Sequence, residues 1–188
     1  MPALYQLLGY PGTGKLTIAR EIVAVLEERG EPAALMDNHA TANLVWSLVP
    51  EARRFDPEVM GTINELRRVL VTAARSITGA EHSLVFTNFL PSTAKGSVLD
   101  PHRELASALE RPLVAVVLRC EREEVLRRLV SPERERNLKL VIPHVAERIM
   151  DAGMSLPEWP ELVDLDITGL TVREAALRVV AMADAASG

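Results

Sequence analysis

The sequence predicts a three-layer α/β/α fold built on a five-stranded parallel sheet. Three observations predict it. Short apolar runs alternate with amphipathic stretches along the whole 188-residue chain, the order that yields parallel strands joined by helical crossovers. Residues 113–118 are continuously apolar and rich in valine, as suits a strand covered on both faces. A glycine-rich turn separates the first apolar run from the first amphipathic stretch, at the carboxyl end of a strand, where open α/β sheets gather ligands.

Residues 3–8 (Ala-Leu-Tyr-Gln-Leu-Leu) read as the first strand. After the turn, Ile18, Ile22, Val25 and Leu26 recur at helical spacing; Gly30 closes that helix and Pro32 breaks the chain. Residues 33–36 form a second strand ending at Asp37. Residues 41–48 are helical, and Pro50 and Pro57 then interrupt the chain. Val59, Ile63, Leu66, Leu70 and Ala73 make the apolar stripe of a longer helix that stops near Gly79. The third strand, from residue 83, reaches Thr87 and Asn88. Residues 91–102 hold two prolines and a glycine and read as a loop, with a helix over 102–109. After the fourth strand, 121–130 is helical, with Glu123/Arg127 and Glu124/Arg128 at i,i+4 spacing. A charged stretch (131–139), a helix (143–152), a last strand (162–167) and a last helix (171–183) complete the chain. Thr171 and Glu174 are placed as a capping box at the start of that helix. No repeat or linker divides residues 1–188, which are expected to form one domain.

Composition narrows the function classes. Hydrophobic residues make up 48% and charged residues 25%, with a net charge of -5; this describes a soluble globular protein. An acidic chain is poorly suited to nucleic acid, which needs broad basic surface, but one cationic pocket is enough for a small phosphorylated ligand. The single cysteine, Cys120, excludes an internal disulfide and a multi-cysteine zinc site. It follows an apolar run and reads as a buried structural thiol. No stretch approaches the ~20 apolar residues that span a bilayer, and the start lacks a signal-like pattern. The expectation is a cytoplasmic protein with no membrane partner.

The chemistry is carried by Gly9-Tyr10-Pro11-Gly12-Thr13-Gly14-Lys15-Leu16-Thr17. Gly9, Gly14 and Lys15 have the spacing of a phosphate-binding loop. Glycines let the backbone turn tightly and aim several N–H groups at one anion. The next helix adds partial positive charge at its start, and Lys15 would bring an ammonium to the β- and γ-phosphates. Gly9, Pro11, Gly12, Thr13, Gly14, Lys15, Leu16 and Thr17 are therefore the expected nucleotide contacts. The strict pattern has a serine or threonine directly after the lysine to hold magnesium. Here Leu16 takes that place and the hydroxyl comes at Thr17, turned towards the α- or β-phosphate.

The Gly-x-Pro-Gly-x-Gly-Lys-x-Thr form, in a chain of this length, resembles adenylate kinase and its relatives, including shikimate kinase, gluconate kinase and chloramphenicol phosphotransferase. The resemblance implies a P-loop NTPase fold, ATP and Mg2+ as cofactors, a small-molecule acceptor, and a monomer or homodimer. It implies an acceptor-binding helical insert over about 39–79 and a lid over about 127–142. In such kinases an acidic residue at the end of the second strand binds the acceptor, orients magnesium waters or serves as base; Asp37 stands there. Arg119-Cys120-Glu121 and the helix leading to Arg127, Arg128, Ser131, Arg134 and Arg136 resemble the lid. Arg127 or Arg128 would then meet the γ-phosphate, and Arg134 the nucleotide. The run Leu165-Asp166-Ile167-Thr168-Gly169 resembles the last strand and the loop beside the adenine ring. One departure stands out: relatives often carry an aspartate at the end of the third strand, where this chain has Thr87 and Asn88. Magnesium would then depend on Asp37, with Thr17 the other candidate ligand.

Each candidate also has a plainer reading. Asp37 can cap a turn, and His39 can be a solvated loop residue. Arg127 and Arg128 have i,i+4 partners, and Arg134 and Arg136 lie in a charged run. In the relatives this region holds the acceptor, so Arg53, Arg54, Arg67 and Arg68 would suit an anionic one, though each by itself reads as solvated helix surface; Trp46 and Phe55 could shape the acceptor pocket but read more plainly as core. Together the residues predict an ATP- and magnesium-dependent phosphotransferase acting on a small molecule, with Lys15, Asp37, Arg127 and Arg128 as its catalytic groups. The alternative is an NTPase or nucleotide-binding regulatory protein without an acceptor. A dinucleotide-binding oxidoreductase fits less well, because the glycines and Lys15 suit a triphosphate.

Overall fold

The structure is a computed structural model and describes residues 1–130 and 142–186. Five strands, β1 (Leu4–Leu8), β2 (Ala33–Asp37), β3 (Ser83–Asn88), β4 (Leu113–Arg119) and β5 (Leu162–Asp166), form one sheet in the order β2-β3-β1-β4-β5. Every neighbouring pair is parallel. This is the predicted α/β/α sheet. All residues of β1 and β3 are buried, as expected for strands covered on both faces. β2 lies at an edge and leaves Ala34 exposed.

Alternation along the strands sends side chains to two cores. Tyr5 and Leu7 pack with Ile22, Leu26 and Val179, so α1 (Lys15–Glu28) and α7 (Val172–Ala186) cover one face. Leu4 and Phe86 pack with Val71 and Leu105, so α3 (Pro57–Ile77) and α4 (Asp100–Ala108) cover the other. The remaining helices build outward from the sheet. α2 (Asn38–Trp46) packs on α3 through Val45, Trp46, Val59 and Ile63. α5 (Arg122–Leu129) packs on α6 (Pro143–Ala152) through Val125, Leu129 and Ala146.

Two expectations are corrected here. The buried line of α3 runs Val59, Ile63, then Val71 and the partly buried Ala74, and Leu70 is 37% exposed. Steps of four residues carry this line through Arg67, because α3 meets α2 with its first turns and the sheet with its last. The expected loop over 91–102 contains a 3-10 turn, Gly96–Leu99, and the start of α4. The capping box holds: Thr171 N donates to Glu174 Oε2 at 2.8 Å, and Glu174 N donates to Thr171 Oγ1 at 3.2 Å. Among the described residues no helix is long and apolar enough to cross a membrane.

Candidate functional site

β1 ends at the centre of the sheet and α1 begins at Lys15, so the glycine-rich segment must turn within six residues. Thr13 N and Thr13 Oγ1 both donate to Tyr10 O, at 3.3 and 3.0 Å, and close the turn. Gly12 and Gly14 have φ of 97° and 90°, backbone states that side-chain-bearing residues rarely adopt. Gly12 is also where α5 packs against the loop: a Cβ there would lie 2.9 Å from Val125 Cγ1 and 3.1 Å from Leu129 Cγ. Gly12→Ala is therefore expected to cost about 2–4 kcal/mol, combining left-handed strain with overpacking. A thermal midpoint within a degree of wild type would contradict that.

Gly14 caps α1 without a side-chain hydrogen bond, and no acidic residue lies in the first turn. The helix start is left electropositive and suited to an anion. Lys15 folds back over the loop, with Nζ donating to Gly9 O and Tyr10 O, both at 2.8 Å. The loop is thus wound, with its ammonium beside the turn.

A cavity of about 270 Å³ opens next to the loop. Gly14 and Thr17 form one side, Glu124, Arg127 and Arg128 of α5 another, and Ile167 and Leu170 an apolar end. The apolar end is held by a cross-link between turns: Glu121 N donates to Thr168 Oγ1 at 3.1 Å. Cys120 sits at this junction, half-buried rather than fully buried; burial pushes its thiol pKa up, against the opposing pull of Arg128 and a Thr168 hydrogen bond.

Glu124 accepts from both arginines. Arg127 Nε and Nη2 donate to its two oxygens at 2.8 and 2.7 Å, and Arg128 Nε donates to Oε1 at 2.6 Å. These bonds, Arg127's first, hold the Glu124 pKa down to about 2. Arg128 Nη1 also reaches Thr13 O at 3.4 Å, so this arginine touches the loop itself. The expected Glu123/Arg127 pair is replaced: Arg127 turns to Glu124, because Glu123 faces solvent while Glu124 points into the cavity. Ser131, Arg134, Arg136 and most of the expected lid over 127–142 lie outside the described residues.

The second group of residues gathers at the ends of β2 and β3. Register places Asp37 beside Thr87 and Thr87 beside Leu7, so Asp37 stands two strands from β1, roughly 10 Å away at ordinary strand spacing. Asp37 caps α2: its Oδ1 accepts from His39 N at 3.3 Å and from Thr87 Oγ1 at 2.9 Å. Both bonds use the same oxygen. Among the described residues no protein hydrogen bond goes to Oδ2.

Arg67 corrects the solvated-surface reading. Its Nε donates to Thr41 Oγ1 at 3.2 Å, Nη1 to Asn64 Oδ1 at 3.2 Å and Nη2 to Asn38 O at 3.1 Å. Burial pushes its pKa down to about 10 while Asp37 pulls it up, so it stays charged at neutral pH. His39 lies in the first turn of α2, half-buried and edge-on to Trp46 at 6.1 Å, not in a solvated loop. Trp46 is buried as expected, with Nε1 donating to Arg54 O at 2.9 Å. Phe55 is not core: it is 75% exposed, resting edge-on against Trp46. Sequence reasoning passed over Gln6, fully buried in β1, whose Nε2 donates to Asn88 Oδ1 at 3.0 Å. The signal was a lone amide within an apolar strand.

Among the described residues no group of three or more His, Cys, Asp or Glu side chains could hold a metal ion. A second cavity, about 350 Å³, lies between Pro91–Ser92 and the Val145, Arg148 and Ile149 face of α6.

Comparisons with known proteins place this geometry. The sequence profile of the AAA domain family (AAA_18) matches residues 6–151. No curated protein matches in sequence. Among solved structures, the chain is similar to an APS kinase from Mycobacterium tuberculosis in complex with AMPPNP and APS, at TM-score 0.66 and 16% identity, covering 97% of this chain and 98% of that one. It is similar to a gluconokinase from Sinorhizobium meliloti 1021, at TM-score 0.61 and 17% identity, covering 99% and 94%. It is also similar to shikimate kinase from Acinetobacter baumannii in complex with shikimate, at TM-score 0.58 and 16% identity, covering 96% and 92%. These likenesses share the five-stranded parallel sheet with flanking helices. With the wound glycine loop and the profile over most of its length, the chain belongs to the AAA domain family of P-loop proteins.

Proposed function

We propose that this protein is a kinase that moves the γ-phosphate of ATP to a small-molecule acceptor. The observation that carries the reading is Asp37, whose Oδ1 is spent on Thr87 and His39 and whose Oδ2 has no protein hydrogen bond among the described residues, at the same carboxyl edge of the sheet as the wound loop. A loop alone serves any nucleotide; a carboxylate held by one oxygen with the other unspent serves transfer.

The loop amides and Lys15 bind the β- and γ-phosphates, and the apolar end near Ile167 and Leu170 receives the base. Arg127 and Arg128 stabilise charge on the transferring group. The acceptor hydroxyl oxygen forms a bond to the γ-phosphorus as the bond to the β–γ bridging oxygen breaks. The hydroxyl proton passes to Asp37 Oδ2, and ADP leaves with the bridging oxygen. Positioning and charge stabilisation account for most of such a rate. Mg2+ fits a site with few protein ligands, since it is commonly bound by one or two carboxylates plus substrate phosphates and water. Thr17 Oγ1, and Asp37 through a coordinated water, would help hold it, and it would neutralise charge on the phosphates. Arg67, fixed beside Asp37, suits an anionic acceptor. Two of the structural relatives are complexes with APS and with shikimate, which supports a small anionic molecule there.

The alternative, an NTPase or regulatory nucleotide binder without an acceptor, draws on Thr87 and Asn88, which put no carboxylate at the end of β3. ADP release measured with ATP alone and then with panels of anionic hydroxylated acceptors separates the two. Acceptor-dependent release is the expected result. Release at one rate whatever acceptor is added would favour the alternative.

A further inference from the structure

We propose that Glu124 is a positioning residue of the nucleotide site, holding Arg128 in the orientation that meets the phosphate chain. The inference rests on the nucleotide reading above and adds a residue to it.

Glu124 lines the cavity with Gly14 and Thr17, and its side chain is only 25% exposed. A bare carboxylate there would repel a polyphosphate. It is not bare: three guanidinium N–H groups from two arginines reach it. Arg127 is the outer partner, with a side chain 74% exposed. Arg128 is the inner one, 31% exposed and tethered at two points: Nε to Glu124 and Nη1 to the loop carbonyl Thr13 O.

Two tethers fix the plane of a guanidinium. They use two of its five N–H donors, and the others belong to a side chain that already lines the cavity beside Gly14. The spacing confirms how near it lies, since a Cβ on Gly14 would sit 3.7 Å from Arg128 Nη1. An arginine ordered before the ligand arrives does not lose its rotamer freedom on binding. An ordinary surface i,i+4 pair has neither the loop contact nor the cavity, and its removal changes little.

Glu124 therefore acts only through its arginines, and the effects of the two residues must be non-additive. The test measures affinity for ATP, by competition with a fluorescent ATP analogue, in wild type, Glu124→Gln, Arg128→Ala and the double variant, with thermal midpoints alongside. Glu124→Gln keeps an oxygen for Arg128 but removes the carboxylate charge that strengthens the bond, and is expected to weaken ATP binding about 3- to 10-fold; Arg128→Ala is expected to weaken it about 10- to 100-fold, as for loss of hydrogen bonds between charged groups. The double variant should bind more tightly than the product of the two single losses predicts, because without Arg128 only the Arg127 share of the Glu124 effect remains. Arg128→Lys keeps the charge but cannot span both tethers, and should lose about as much as Glu124→Gln; it serves if Glu124→Gln lowers the midpoint. Unchanged or tighter binding in Glu124→Gln, or penalties that multiply in the double variant, would overturn the proposal while leaving the nucleotide reading in place. A folded wild type with no affinity for ATP would overturn both.

Discussion

Lys15→Ala is expected to weaken ATP binding by at least about 100-fold, which corresponds to roughly 2.7 kcal/mol. The ammonium lies over the loop, donating to Gly9 O and Tyr10 O. Those carbonyls hold it next to the amides that would cradle phosphate, and a ligand would compete for the same ammonium. Hydrogen bonds between charged groups are worth about 1.5–3 kcal/mol each, and more than one phosphate oxygen is within the reach of such a group. Stability should change little. Tyr10 O keeps both Thr13 donors, and the fold's cores do not include Lys15. Calorimetric titration with ATP, paired with thermal unfolding, checks both halves. Wild-type affinity in a folded variant would sink the loop assignment.

Asp37→Asn is expected to lower phosphoryl transfer by about 100- to 10,000-fold, the usual scale for a lost general base, with ATP affinity within a few-fold of wild type. The substitution is unusually clean here. Thr87 Oγ1 and His39 N both donate to Oδ1, and asparagine retains that oxygen. Only Oδ2 is exchanged, for an amide that donates rather than accepts. The cap of α2 and the Thr87 bridge survive, so a rate loss reports the missing acceptor oxygen rather than a disturbed fold. Steady-state ADP release with the working acceptor, beside a binding titration, makes the measurement. Unchanged turnover would remove Asp37 from the mechanism.

The two residues differ in how far the sequence could reach them. Lys15 was legible because the loop is local: positive φ at Gly12 and Gly14, the strand before and the helix after all fall within a few residues. Asp37 was legible as a strand-end carboxylate, but its partner was not. Thr87 lies 50 residues away, and only the β2–β3 register brings the two together. The burial of Arg67 was not legible for a related reason. Two lines of residues run down α3, one through Leu66 and Leu70 and one through Ile63, Arg67 and Val71. Composition favours the first, but contact with α2 and the sheet selected the second. Glu123 and Glu124 presented the same ambiguity, since either can pair with an arginine on the next turn. The packing of Val125 and Leu129 on Gly12 turned Glu124 towards the cavity.

By itself the sequence determined the fold class, the glycine loop with its lysine, the strand-end Asp37 and the capping box of the last helix. Each follows from backbone preference, side-chain period or a short spacing, interactions that close within a turn or a strand. Tertiary structure alone decided the strand order, which oxygen of Asp37 is spent, the burial of Arg67, and the sharing of Glu124 by two arginines. Those depend on surfaces meeting across tens of residues, where several pairings are compatible with one local pattern and the packed cores leave room for a single one.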